Sequence, residues 1–595
     1  MLLALIVGGT FSLRWSYPVI SEWSTNTKPD FVPVRYGRSG YGDDYFYYTF
    51  VRNFFSGARV ASDPISYEHR GEVTPHVSYT VSLWLASIGG LFTGNTNHAY
   101  AFNFLVYPAL TVALLYLLFY SVTGSRWLSA FFAFRSVFVF SEMERTPNIL
   151  ITNIFLSILV YLFFELLERR KDGKVAALIP FFIGILPGTS MENAAIGGAW
   201  SIVLALFYRK EIGTKRLAIM AGLSVLVASP LLWLWVHAAP GQAILLEYGN
   251  LYMTSISTFL LREFAAEVIK LGVPLLWMLC FDFRHRKFLM LIHGTLLLMY
   301  VASSPMLGSF GARHVVFRGA ELIAYTTLYT SLLLIFQELL SQTGIAIRIP
   351  FRGTVRASLA QAMPTLNAPI VRKICSAGLA IIILVYVVVR FQQHFASAAE
   401  LFEKGRDRPF YELADWSAKT SSPSDVYVTL DPDLLLNLSV YSQARAYLPQ
   451  ALMSHAFTPE RASRLYDILK IYNVRPARIP DLFPSKAVSD PTGLDLQRHL
   501  FAMVMFYLKY AEVEDLAGNS VIRELENTYA AEDERQPCLR YRATHLVVSP
   551  FDRQWLDSDS LANRLIQTQT PLFENDRYRV IPIDSAVPTC QSVQP

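Results

Sequence analysis

Residues Asn148 to Lys174 read NILITNIFLSILVYLFFELLERRKDGK. The part from Asn148 to Leu167 is apolar except for scattered amide and hydroxyl side chains and one acid, Glu165, and it is long enough for a helix to cross about 30 Å of hydrocarbon. Glu168–Lys174 then gathers Arg169, Arg170, Lys171 and Lys174 into one short loop. Short basic loops next to apolar spans stay on the cytoplasmic side of a membrane. One stretch therefore predicts a membrane span and its direction.

The composition agrees with that reading. The chain of 595 residues is 53% hydrophobic, 14% aromatic and only 17% charged, with a mean hydropathy of +0.32. Soluble domains carry about 25% charge. The net charge of +5 is small for this length and gives no case for a nucleic-acid partner. Further apolar runs predict spans near Leu2–Trp15, Ala101–Thr123, Trp127–Ser141, Val175–Leu186, Ala194–Tyr208, Leu217–His237, Val268–Phe283, Phe288–Ser304, Gly319–Leu340 and Ile374–Arg390. With Asn148–Leu167 these make about 11 transmembrane helices. Val77–Phe92 is apolar as well, but its Gly89-Gly90 pair suits an interfacial helix better than a span.

With the N-terminus inside, the inner loops are Gly124–Arg126, Glu168–Lys174, Arg209–Arg216, Arg284–Lys287 and Ser341–Lys373. Every basic cluster in the short loops then falls on one side. A missed span would reverse all later clusters. The opposite side receives a first loop over 16–100, turns near Glu142–Pro147 and Gly188–Glu192, loops over Ala238–Glu267 and Pro305–Arg318, and everything after Arg390. The fold class expected is an α-helical polytopic membrane protein, residues 1–392, with an inner linker over 341–373 and a mixed α/β extracytoplasmic domain over 393–595. That domain shows helical patterns at Glu460–Tyr472 and Leu494–Tyr510, and strand patterns at Val426–Leu430, His545–Val548 and Tyr578–Ile583. Ile345–Pro369, basic and broken by prolines, reads as an inner-surface linker with room for an interfacial helix. Cys538 and Cys590 share the polar domain, where a disulfide forms if the compartment is oxidising. The location expected is an inner or plasma membrane.

Unusual chemistry concentrates on the outer side. Tyr41-Gly42-Asp43-Asp44-Tyr45-Phe46-Tyr47-Tyr48 sets two adjacent carboxylates among aromatics, with Tyr45 and Tyr48 expected to line a substrate cavity. Carboxylates at membrane level are costly and mark functional sites. The same acids also suit the start of a helix over Tyr45–Phe55, and a cap can fix the position of its neighbour. Glu142-Met143-Glu144 lies on a turn, where two carboxylates can share a divalent cation, Mg or Mn, or Glu144 can pair with Arg145. Glu192 is either a third acid for that cavity or a capping-box partner of Thr189. Arg313, His314 and Arg318 form a cationic group at the outer surface, against the inside bias for basic residues. The arginine fork suits a phosphate, on a lipid-linked substrate or on ordinary head groups, whereas His314 by itself suits packing equally well.

An outward cavity with paired carboxylates, arginines for phosphate and aromatic walls suits transfer of a sugar from a polyprenyl-phosphate donor. A carboxylate would act as general base on the acceptor hydroxyl. Asp43-Asp44 with Tyr48, then Arg52-Asn53, Gly57 and Thr74-Pro75 before an apolar helix, resembles the first outer loop of the GT-C glycosyltransferase superfamily. That resemblance implies a carboxylate base in this loop, and it puts Glu142-Met143-Glu144 in the place of the second acidic motif. It implies a polyprenyl-phosphate-linked sugar donor, a saccharide, lipid or protein acceptor, and contact with membrane lipid. The chain departs from the oligosaccharyltransferase branch, since the nearest segment to a WWDYG motif is Asp415-Trp416-Ser417. The contrasting functions are a transporter or flippase of lipid-linked saccharide and a polymerase or ligase of surface polysaccharide. Transporters commonly carry internal repeats, and none is evident in this sequence.

Overall fold

The structure, a computed structural model, describes residues 44–74, 79–94, 96–139, 150–169, 174–237, 258–302, 315–339, 345–349, 353–357, 385, 389, 408–451, 454, 456, 458–485, 493–506, 518–532, 537–583, 587, 588 and 590. The first helices are α1 (Asp44–Phe55), α2 (Thr80–Ser87, continued by a 3-10 turn at Ile88–Gly90) and α3 (Thr96–Thr123). The bundle continues through α4 (Arg126–Val139), α5 (Ile151–Leu167), α6 (Lys174–Ile185), α7 (Met191–Phe207), the short α8 (Arg209–Ile212) and α9 (Thr214–His237). It closes with α10 (Thr258–Cys280), α11 (Arg286–Ala302) and α12 (Val315–Leu339). The predicted runs from Ala101–Thr123 to Gly319–Leu340 thus coincide with helices. Leu2–Trp15 lies outside the described residues, as does Ile374–Arg390 apart from residues 385 and 389.

Among the described residues, three helical segments are long and apolar enough to cross a membrane: Val106–Thr123, Thr214–His237 and Leu322–Leu339. The other apolar helices are shorter, so the count of eleven does not follow from helix length. α9 is the most exposed of the three, with only 11% of its apolar window buried. Ile219, Leu223, Val225, Leu226, Trp233 and Val236 all point outward from it. An apolar patch of that extent is not maintained in water, and it fits contact with lipid.

Helix ends collect as the charge pattern requires. Gln337 Nε2 donates to Thr123 O at 3.3 Å, and Arg169 Nη2 to Ser121 O at 2.8 Å. Tyr208 OH donates to Glu168 Oε1 at 2.7 Å, His285 Nδ1 lies 2.7 Å from Glu168 Oε2, and Lys287 Nζ donates to Phe207 O at 3.0 Å. The C-terminal ends of α3, α5, α7 and α12 and the turn between α10 and α11 therefore share one end of the bundle. Gly124 (φ +69°) and Gly213 (φ +83°) turn the chain there, in a backbone region open to glycine.

The first part of the linker is a strand pair. Within it, Ile345–Ile349 (β2) and Gly353–Ala357 (β3) form an antiparallel hairpin with Ile345 opposite Ala357, and residues 358–373 lie outside the described residues. β2 also pairs with β1 (Phe281–Asp282), Phe281 opposite Ile347, so this small sheet joins the same bundle end. The alternation in Ile345-Ala346-Ile347-Arg348-Ile349 is a strand pattern, and its arginine obscured it.

After residue 408 the chain folds into the mixed domain. It runs α13 (Arg408–Thr420), β4 (Val426–Val428), α14 (Pro432–Tyr441), β5 (Arg445–Ala446), α15 (Thr458–Tyr472), α16 (Gly493–Phe506) and α17 (Ser520–Glu532). β6 (His545–Val548), α18 (Pro550–Arg553), α19 (Leu561–Thr568), β7 (Phe573–Glu574) and β8 (Arg579–Pro582) complete it. The sheet order is β5-β4-β6-β8-β7, with β4 parallel to β5 and β6, and β8 antiparallel to β6 and β7. Cys538 and Cys590 are joined, with Cα atoms 5.1 Å apart. One apolar core runs from Tyr48, Phe50 and Phe119 of the bundle into Val428, Leu436, Leu469 and Phe501 of the domain. The domain is therefore packed onto the first loop.

Candidate active site

α1 opens at Asp44, directly after Asp43. Tyr47, Tyr48, Thr49, Phe50, Val51 and Arg52 are all buried, so this part of the helix has no solvent face. Its neighbours explain why. Asn103 Nδ2 of α3 donates to Tyr48 OH at 2.7 Å and to Ala86 O at 2.9 Å. The Tyr48 ring stands edge-on to Tyr100 at 5.1 Å, and Tyr47 to Tyr79 at 5.5 Å. On the domain side, the Thr49 and Ser439 hydroxyls are 3.4 Å apart, and Thr96 Oγ1 donates to Val440 O at 3.4 Å. α1 is thus held between bundle and domain.

Tyr48, expected to face substrate, is instead fully buried, and its phenol is used to fix α1 to α3. Its edge-on aromatic contacts and its hydrogen-bonded hydroxyl are what a buried tyrosine needs. Asp43, Glu142, Glu144, Arg313 and His314 lie outside the described residues. Of Asp44, Tyr45, Glu192 and Arg318 only the backbone is described. Asp44 and Tyr45 open α1, Glu192 is in the first turn of α7, and Arg318 is in the first turn of α12. α7 and α12 both run toward the end with the basic loops, so Glu192 and Arg318 begin at the opposite end. Ser82 Oγ of α2 donates to Thr189 O at 3.1 Å, which ties that end to the first loop.

Of the two readings of Glu192, the capping box needs Thr189 as the N-cap, and Thr189 does not hold that position. Ser190 is the N-cap of α7, accepting from Asn193 N at 3.3 Å, while Thr189 Oγ1 donates to Leu186 O. Gly188 allows this close turn, since a Cβ there would lie 2.5 Å from Val81 Cγ2. Among the described residues, no group of three His, Cys, Asp or Glu side chains is placed to hold a metal ion.

Sequence reasoning missed a polar seam between the first loop and the domain. The segment 61–74 closes on itself through Thr74 N to Ala61 O and Asp63 N to Glu72 O. It is bonded to β5, with Ala446 N donating to Ile65 O at 3.0 Å. Arg464, with 0% of its side chain exposed, donates to Glu68 Oε2 at 2.7 Å, to Glu460 Oε1 at 2.6 Å and to Tyr447 O at 2.9 Å. Its guanidinium also stacks 3.7 Å over the Tyr541 ring. His69 Nε2 lies 2.8 Å from Glu460 Oε2 and Nδ1 3.2 Å from Glu72 Oε2. The hydrogen bond to Glu460, opposed by burial, raises His69 to about 9, so it is charged at neutral pH. Burial pushes the Glu460 carboxyl up, but His69 and Arg464 outweigh it and hold it below its ordinary value. The only trace of this network in the sequence is the i, i+4 pair Glu460 and Arg464 on a predicted helix.

No family model matches the chain, and no curated protein matches it. Solved structures with similar folds include the apo Archaeoglobus fulgidus oligosaccharyltransferase, with 12% identity over 92% of this chain and 69% of that one, at a TM-score of 0.47. The same organism's oligosaccharyltransferase AglB, in complex with an inhibitory peptide and a dolichol-phosphate, gives 11% identity over 99% and 74% at 0.46. ArnT from Cupriavidus metallidurans, bound to undecaprenyl phosphate, gives 12% over 97% and 98% at 0.38. These proteins are GT-C glycosyltransferases, the superfamily that the first-loop motifs resemble.

Proposed function

We propose that the chain is an integral-membrane glycosyltransferase that moves a sugar, with inversion, from a polyprenyl-phosphate-linked donor to a saccharide, lipid or protein acceptor. One observation carries the reading. The helix that opens at Asp44 is buried from Tyr47 to Arg52 between α3 and α14, and a helix anchored in this way supports the reading that its opening residues carry the reaction. In this reaction Asp43 or Asp44 takes the proton from the acceptor hydroxyl. The acceptor oxygen attacks the anomeric carbon opposite the phosphate, and the bond from that carbon to the phosphate oxygen breaks. Arg313, His314 and Arg318 are the proposed partners of the departing lipid phosphate, and Tyr45 remains the proposed lining aromatic. Glu142, Glu144 and Glu192 are the proposed ligands of a divalent cation, Mg or Mn, which would add Lewis-acid stabilisation of the leaving group.

The test supplies polyprenyl-phosphate sugars and candidate acceptors to the purified protein. Asp43→Asn or Asp44→Asn lowers transfer by about 100- to 10,000-fold if that residue is the base, and wild-type rates in both variants and in the double variant would remove the proposed base. Transfer lost in EDTA and restored by Mg or Mn checks the cation. The proposed orientation, with the C-terminal domain outside a plasma or inner membrane, requires cysteines placed at Ser424 and Ser358 to be labelled from opposite sides.

A further inference from the structure

Two arginines converge on one short loop at the seam. Arg52 of α1 donates Nη2 to Pro64 O at 2.9 Å. Arg445 of β5 donates Nη1 to Asp63 O at 3.0 Å and to Ser66 O at 2.9 Å. Both guanidinium groups therefore rest against residues 63–66, and both side chains are enclosed, with 7% and 9% of their surface exposed. Their bonds to the loop all go to neutral carbonyl oxygens, which satisfy donors without cancelling charge.

The acid in the loop is already engaged. Asp63 Oδ1 accepts from Ile65 N and Ser66 N at 2.9 and 2.8 Å, and Oδ2 accepts from Ser454 Oγ at 2.6 Å. Burial lowers Arg445 most and Arg70 adds to it; the charges of Asp63 and Glu68, and Tyr67, act the other way without offsetting them, so Arg445 is shifted down. Burial, with the like charge of Arg445 added, pushes Arg52 down to about 9. A guanidinium keeps its proton at neutral pH, so the downward shift measures an unfavourable buried charge. Three donors at this place also have no acceptor among the described residues: Arg52 Nη1, Arg445 Nε and Ser66 Oγ. Buried charges are paired in stable proteins.

We propose that Arg52, Arg445 and Ser66 form a binding site for a small inorganic anion, chloride or phosphate, between the first outer loop and the C-terminal domain. Charge-assisted bonds from two guanidinium groups and a hydroxyl are the donor set that such an ion takes. The enclosure of both arginines favours a free ion over a phosphate carried on a lipid tail. The ion offsets the like charges and adds a bridge between α1 and β5. This site is independent of the proposed transfer reaction, and its test does not use that reaction.

The full-length protein in detergent is heated at fixed ionic strength while sodium gluconate, too bulky for an enclosed site, is replaced by sodium chloride in one arm and sodium phosphate in another. A ligand of the folded state raises the ratio of folded to unfolded protein about tenfold for each tenfold rise in its concentration above Kd. The unfolding midpoint is expected to climb in the chloride or the phosphate arm, which also tells the two ions apart. Arg52→Gln and Arg445→Gln each abolish that climb. Ser66→Ala, which removes one hydroxyl and keeps the charges, shifts the half-effective concentration upward several-fold and serves if an arginine variant does not fold. Equal midpoints in all three salts, or a climb that survives unchanged in Arg52→Gln or Ser66→Ala, would overturn the proposal.

Discussion

His69 gives the most direct test of the seam, because its charge should make the fit of first loop to domain depend on pH. The imidazole lies between Glu460 at 2.8 Å and Glu72 at 3.2 Å. Its pKa rises from 6.5 to about 9, chiefly through the hydrogen bond to Glu460 and against the opposing effect of burial. That difference corresponds to about 3.4 kcal/mol at 1.36 kcal/mol per pH unit. With 21% of the His69 side chain and 51% of Glu72 exposed, solvent screening reduces the expected contribution to about 1–2 kcal/mol. The sign follows from a folded-state pKa above the unfolded one. The contribution is complete below about pH 6.5, declines as pH rises toward 9 and is lost above it. Unfolding of wild type and His69→Gln, measured in detergent from pH 6 to pH 10, should show the variant weaker by about 1–2 kcal/mol at pH 6 and the gap closed at pH 10. A gap that stays constant, or one that widens with pH, would refute a charged His69.

Four further outcomes are expected. Arg464→Met leaves Glu68 and Glu460 without their shared cation and should cost about 3–5 kcal/mol by thermal or denaturant unfolding; adding Glu460→Gln should recover part of it. Replacing Cys538 and Cys590 by serine opens a link across 52 residues of sequence and should cost about 4 kcal/mol on the chain-entropy relation, with wild type falling similarly on reduction. Asn103→Leu removes the donor to Tyr48 OH and Ala86 O and should cost about 1–3 kcal/mol. Tyr48→Phe should cost less, and a transfer rate falling by more than the loss of folded protein in that variant would show that Tyr48 positions α1.

What could be read from the sequence was local, and what could not was distant. A helix within Asn148–Leu167 was legible because apolar residues dominate that stretch, and α5 covers Ile151–Leu167. Strand β6 was legible at His545–Val548 because a buried strand is a short run of apolar, β-branched residues. The hairpin of β2 and β3 is hard to read from sequence because Arg348, Arg352 and Arg356 give it the basic character of a surface linker and interrupt the apolar alternation. Tyr48 was misread for a related reason: an aromatic beside two carboxylates suggests a cavity wall, and only the position of Asn103 shows that its hydroxyl has a partner in the core. The seam had almost no local trace. His69 and Glu460 are 391 residues apart, and Glu68 and Arg464 are 396 apart. No periodicity links such residues.

That distance bears on how the candidate base is held. A helix as short as α1 is marginal by itself, since nucleation is costly and short helices draw their stability from tertiary packing. Two of its attachments come from the bundle, through Asn103 and Tyr100, and two from the loop that follows it, through Asn53 to Ser62 and Arg52 to Pro64. The loop in turn is fixed by the domain, through Arg445, Ser454 and Arg464. Thr49 beside Ser439 adds a direct contact between α1 and the domain. The placement of α1, which opens at Asp44, therefore depends on side chains from the far end of the sequence, and a substitution at Arg445 or Arg464 reaches α1 through the loop. On this argument the C-terminal domain is part of the proposed site's framework, whatever it contributes to binding an acceptor.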